Sequence, residues 1–127
     1  MSKFLLIVSG GAVGTGARYL ISGFMLRAFG TGFPYSTLTV NLVGSFLITM
    51  IMYVGLSSEL ISPTMRIVLT TGVMGGFTTY SSFSYETIQY FQDGEPLKGA
   101  ANLLVMNCSC LIAAWMGLIL AKRLWGN

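Results

Sequence analysis

Apolar positions run through this chain in four long stretches, and charged residues punctuate them. Lys3 and Arg18 enclose fourteen uncharged residues, Arg27 and Glu59 thirty-one, Arg66 and Glu86 nineteen, and Lys98 and Lys122 twenty-three. A helix that crosses hydrocarbon needs about 20 apolar residues. Three runs meet that requirement alone. The first meets it once Arg18 is taken into the membrane and Tyr19–Leu26 continue the span. The pattern predicts helices over about 4–28, 36–56, 64–91 and 97–124. Turn residues separate them: Gly30-Thr31-Gly32-Phe33-Pro34, then Ser57-Ser58-Glu59 with Pro63, then Asp93-Gly94-Glu95-Pro96. All connections are short, so residues 1–127 read as a single four-helix transmembrane domain.

Composition sharpens this reading. Hydrophobic residues make up 54% of the chain and charged residues 9%, against roughly 25% charged in a soluble domain. So few charges cannot cover a water-facing surface. No short apolar core ends in a small-residue cleavage site, and Met1 is therefore read as the mature start. Cys108 and Cys110 are two apart and point to different faces of a helix, so no disulfide joins them in this reading. Histidine is absent, which removes the usual imidazole for metal ligation and proton shuttling. The net charge is +3, with no basic cluster beyond Lys122–Arg123. The expected partner is thus a lipid bilayer and not nucleic acid. No nucleophile stands with a base, and an enzyme is not expected.

With four spans, one side carries Lys3, Arg66, Lys122 and Arg123, and the other carries Arg27 and Lys98. This is a weak bias for a rule that reads an excess of positive charge. A chain so balanced can insert both ways and pair antiparallel; a single orientation with an inward N-terminus is the alternative. Gly10 with Gly14, and Gly72 with Gly76, form small-residue pairs that let backbones approach. They serve either packing within the chain or packing between copies.

Helix three carries the most unusual run, Gly72-Val73-Met74-Gly75-Gly76-Phe77-Thr78-Thr79-Tyr80-Ser81-Ser82-Phe83-Ser84-Tyr85-Glu86. Adjacent glycines followed by two β-branched threonines make poor helix, so an interruption is expected near Gly75–Thr79. Backbone groups freed at membrane depth are tolerated only when buried in protein or lining a cavity. Beyond the break, Tyr80 and Phe83 share a face, and Ser81, Ser84 and Tyr85 form a hydroxyl-bearing stripe with Ser82 near it; an aromatic pair of this kind also serves ordinary packing. Ring edges are positive and, with hydroxyl and amide donors, suit a small anion. Asn41 in helix two can donate two hydrogen bonds to such an ion, or act as interhelical glue. Arg18 either snorkels, stands at a vestibule, or pairs with Glu86, the one acid inside a span. In helix four, Asn102, Met106 and Cys110 share a face, and Asn107 and Ser109 are further polar candidates.

Three motifs in order resemble the CrcB/Fluc fluoride channel family: Gly11-x-x-Gly14-x-x-x-Arg18-Tyr19, Thr37-Leu38-x-Val40-Asn41-x-x-Gly44-Ser45-Phe46, and Gly72-x-x-Gly75-Gly76-Phe77-Thr78-Thr79-Tyr80-Ser81-Ser82-Phe83. The resemblance covers nearly the whole chain. It implies an all-α membrane protein that forms an antiparallel, dual-topology homodimer with two fluoride pores. It implies a structural Na⁺ held by backbone carbonyls of Gly75 and Thr78 from both copies. It places the aromatic box on Tyr80 and Phe83 with Asn41 alongside, a hydroxyl track on Ser81 and Ser82, Glu86 nearby, and Arg18 at the helix-one position. Tyr80 departs from the usual Phe, and Cys110 stands where a helix-four Ser is usual. The implied activity is passive, fluoride-selective export across a bacterial plasma (inner) membrane. The competing reading is a small proton-coupled exporter of lipophilic cations. Such proteins typically use an acid in helix one, where this chain has Arg18.

Overall fold

The computed structural model describes residues 2–126, and the reading of Met1 lies outside them. The elements are α1 (Ser2–Phe29), α2 (Tyr35–Ser57), α3 (Pro63–Ile67), a π-helical segment (Val68–Met74), α4 (Gly75–Phe77), α5 (Tyr80–Gln92) and α6 (Pro96–Trp125). No strand occurs among the described residues. α1, α2 and α6 extend the helices expected from the uncharged runs by one or two residues at each end. These three are long and apolar enough to cross a membrane. At 1.5 Å per residue they run roughly 42, 34 and 45 Å, against a hydrocarbon core of about 30 Å. The chain is a multi-pass integral membrane protein. Leu20, Leu97, Leu111 and Trp115 are among the large side chains left exposed on its outer surface.

Local chemistry sets the ends of the helices. Gly30 follows α1 in the left-handed region (φ 74°) and donates its N–H to the Leu26 carbonyl at 2.9 Å, a conformation that favours glycine. α3 begins with Pro63 in its first turn, and the Ser62 hydroxyl accepts from the Met65 N–H at 3.1 Å. Arg66 then donates back to the Gly55 carbonyl at 2.9 Å, satisfying an acceptor in the last turns of α2.

Two kinds of packing build the bundle. α1 lies against the π segment and α4 almost backbone to backbone. A Cβ at Gly72 would stand 2.7 Å from the Ile7 carbonyl oxygen, and one at Gly14 would overlap the Val73 carbonyl and reach the Phe77 nitrogen at 2.9 Å. The Gly10/Gly14 and Gly72/Gly76 pairs thus face each other within one chain. α6 packs along α2, where Gly117 admits the Phe46 carbonyl and Thr49 donates to the Ala114 carbonyl at 2.8 Å.

Between α4 and α5 the chain is extended at Thr78 (φ −86°, ψ 160°) and Thr79 (φ −150°, ψ 108°). Thr79 caps α5, its hydroxyl oxygen accepting from the Ser82 N–H at 3.2 Å. Thr78 bonds back into the turn before it, its hydroxyl donating to the Met74 carbonyl at 2.9 Å.

Candidate functional site

An extended residue between two helices frees backbone groups that must find partners elsewhere. Asn41 of α2 takes both groups of Thr79. Its Oδ1 accepts from the Thr79 N–H at 2.8 Å, and its Nδ2 donates to the Thr79 carbonyl at 3.0 Å. A primary amide has one acceptor atom and two donor hydrogens. One hydrogen remains, and Nδ2 lies 3.6 Å from the Met106 sulfur. Of the two donors the sequence offered to an anion, the structure leaves one, facing a weak acceptor.

That hydrogen opens onto a groove of about 350 Å³ between α2, α5 and α6, whose lining includes Asn41, Ser45, Tyr80, Phe83, Met106 and Cys110. Tyr80 and Phe83 meet edge to face, with centroids 5.4 Å apart and planes at 64°. Phe83 is 3% exposed and Tyr80 76%. Phe83 is therefore fixed in the chain, while Tyr80 projects from it. Asn107 also lines this groove. Ser109 instead bonds its own helix at Val105, and Asn102 is fully buried. The Thr87 hydroxyl donates to the Phe83 carbonyl at 2.7 Å and accepts from Asn102 Nδ2 at 2.9 Å. Asn102 Oδ1 is left without a partner among the described residues.

Arg18 faces a second groove of about 280 Å³ with Thr15, Ser22, Thr37, Thr79 and Ser82. Its lining is rich in hydroxyls and holds no carboxylate. The expected option of an Arg18–Glu86 pair is not realised: Lys98–Glu95 is the one ion pair among the described residues. Glu86 lies instead at a third groove of about 290 Å³ near the α1–α2 turn. The Thr37 hydroxyl donates to Glu86 Oε1 at 2.6 Å, and Oε2 is buried without a partner. The physical reason is rotation of the helices: Thr37 occupies the α2 face turned to Glu86.

The structure therefore brings Asn41, Tyr80 and Phe83 to one groove, Arg18 and Ser82 to a second, and Glu86 to a third. Ser81 is exposed and lines none of them, although its hydroxyl lies 3.4 Å from that of Thr79. Thr78 has its carbonyl outside both helical pieces, where no donor among the described residues reaches it. Gly75 is exposed, and a Cβ there would meet nothing closer than the Thr70 carbonyl at 3.8 Å. Sequence reasoning named Thr37 and Thr79 only within motifs and the expected break, and gave neither a role at the site. Thr37 precedes Asn41 by one turn on the same face, a spacing that was available as a signal. Thr79 reveals itself only through its partners.

A profile of the family described as CrcB-like protein, camphor resistance, matches residues 5–118. A protein of Anaeromyxobacter sp. (strain K) named fluoride-specific ion channel FluC is 50% identical over 126 residues, covering 99% of this chain and 100% of its own length. One of the same name from Anaeromyxobacter dehalogenans shares the same identity and coverage. Another, from Geotalea uraniireducens, is 48% identical over 124 residues, covering 98% of this chain and 100% of its own.

Proposed function

The chain belongs to the CrcB family, and from that premise we propose that it is a passive, fluoride-selective channel of a bacterial inner membrane. The observation that carries the reading is 50% identity, end to end, with proteins named as fluoride-specific ion channels. The chemistry of the Asn41 groove supports it.

Fluoride is small and holds water strongly, so a path through the bundle must offer hydrogens in place of that water. Asn41 is suited to this. Two bonds to Thr79 fix its amide plane, so its remaining N–H is aimed before any ion arrives. A thioether is a weak acceptor, and an anion displaces the Met106 contact with little loss. The edges of Phe83 and Tyr80 add positive ring hydrogens. Ser81 and Ser82 offer hydroxyls next to Thr79, and Arg18, which no carboxylate pairs among the described residues, raises the local anion concentration. Glu86 is held by Thr37 in the groove near the α1–α2 turn, away from Asn41. It stands at a mouth of the path and not at its narrowest part.

In this reading the pieces from Pro63 to Gln92 together make a fourth crossing, interrupted at Thr78–Thr79. Two copies pair antiparallel as a dual-topology homodimer with two pores. Tyr80, 76% exposed in one chain, turns toward the partner copy and completes its aromatic lining. The free carbonyl of Thr78 and the exposed backbone of Gly75 fit a hard cation, which takes oxygen ligands. These carbonyls from both copies would hold a structural Na⁺. When bound, that ion supplies positive charge that ties the two breaks together. Export would run down the fluoride gradient.

The test is efflux from liposomes loaded with fluoride or chloride. Purified protein is expected to release fluoride, read with a fluoride electrode, and to retain chloride. Vesicles that keep fluoride, or lose both ions alike, would refute the reading.

A further inference from the structure

We propose that Met106 and Cys110 form a binding site for a soft, thiophilic metal ion within the Asn41 groove, and that an ion held there closes it. The two residues stand one turn apart on the same face of α6. Their sulfurs are 3.9 Å apart. With metal–sulfur bonds of about 2.3 Å, one ion bridges that separation at a bent angle.

The site is arranged before metal arrives. Met106 is 5% exposed, and its sulfur already faces the Asn41 amide at 3.6 Å. Cys110 is half-buried and lines the same groove. Thiolate and thioether donors select soft ions, whereas carboxylates suit hard ones. No carboxylate lines this groove, so the two sulfurs bias it toward soft ions over magnesium or calcium. Binding of a monovalent ion such as Ag⁺ breaks the Cys110 S–H bond and forms an S–Ag bond. The proton leaves to water, Met106 lends a lone pair, and no electron is transferred. The bound ion takes the Met106 sulfur that Asn41 now faces, and it occupies part of the groove that Asn41 and Phe83 also line. Cys108, two residues away, is exposed and lies outside this groove.

Closure of the groove as a flux effect rests on the channel reading; metal binding by the two sulfurs does not. The experiment uses the full chain carrying Cys108→Ser, in liposomes, with silver nitrate as probe and chloride excluded. X-ray absorption at the silver edge counts sulfur ligands, and a fluoride electrode follows efflux. The expected result is one Ag⁺ per chain with two sulfur ligands. Cys110→Ser abolishes that binding, and Met106→Leu leaves one sulfur and weakens affinity by about tenfold or more. Silver is expected to abolish most of the efflux seen with the same protein without silver. One sulfur in the parent protein, or binding that survives Cys110→Ser, overturns the site. Two-sulfur binding with undiminished efflux overturns closure. A chain that carries no fluoride even without silver defeats the channel reading, and the sulfur count then decides the site by itself.

Discussion

α1 and the π segment meet through glycine backbones, whereas α2, α5 and α6, apart from the close approach at Gly117, meet through polar side chains around open grooves. In the first region carbonyls press on α-carbons and no room remains. In the second, donors and acceptors pair across 38 to 65 residues of chain and leave about 350 Å³ between them. In the proposed channel, one half serves as a scaffold whose rigidity comes from close approach, and the other offers the polar groups along the path. A narrow path for a small ion needs both, because selectivity by size fails if the walls move.

The largest effect is expected where the scaffold is tightest. Gly14→Leu places a side chain into the Val73 carbonyl, and overpacking of this kind destabilises by about 3 kcal/mol or more. Loss of the monodisperse peak in size-exclusion chromatography checks it; a normally assembled variant would mean the glycine contacts are dispensable. Asn41→Asp is next. It removes both N–H donors and leaves the Thr79 carbonyl unpaired, while adding a negative charge to the groove. Flux is expected to fall by about 100-fold or more, as a buried group stripped of its partner costs about 1–3 kcal/mol before any charge repulsion is counted. Unchanged fluoride efflux would remove Asn41 from the path.

The helices were legible in the sequence because a membrane span is a local property: uncharged length and turn residues set α1, α2 and α6 to within two residues. The run Gly75-Gly76-Phe77-Thr78-Thr79 marked the region of weak helix. In the structure Gly75–Phe77 are helical, Thr78 and Thr79 are extended, and a π segment precedes them. Nothing in Val68–Met74 announces a wider helical turn. The partners of the polar residues were less legible. Asn41 lies 38 residues from Thr79 and Thr37 lies 49 from Glu86, and such pairs depend on how each helix is rotated against its neighbours. The same rotation sends Arg18 to a hydroxyl-lined groove and not to Glu86, and it turns the glycine pairs toward each other within one chain.

Smaller effects are expected within the polar half. Thr37→Val removes the hydroxyl that donates to Glu86. A net intramolecular hydrogen bond contributes about 0.5–1.5 kcal/mol, so flux is expected to drop by up to about tenfold while the protein stays assembled. An unaltered rate in the efflux assay would place Glu86 off the path. Tyr80→Phe keeps the ring that meets Phe83 and deletes a hydroxyl. It is expected to leave flux unchanged or to raise it by less than about tenfold, within the ~1.4 kcal/mol of one uncompensated polar contact. A complete loss of flux would show that the hydroxyl is itself a required donor.

In the proposed channel fluoride, and not a larger halide or a proton-coupled cation, crosses the bundle down its gradient. Voltage-clamped planar bilayers containing the purified chain test it most directly, with fluoride and chloride gradients set in opposite directions. A steady current is expected that reverses at the fluoride equilibrium potential, about 59 mV for a tenfold gradient. Reversal at the chloride potential, a reversal that follows the pH gradient, or no current at all would contradict it.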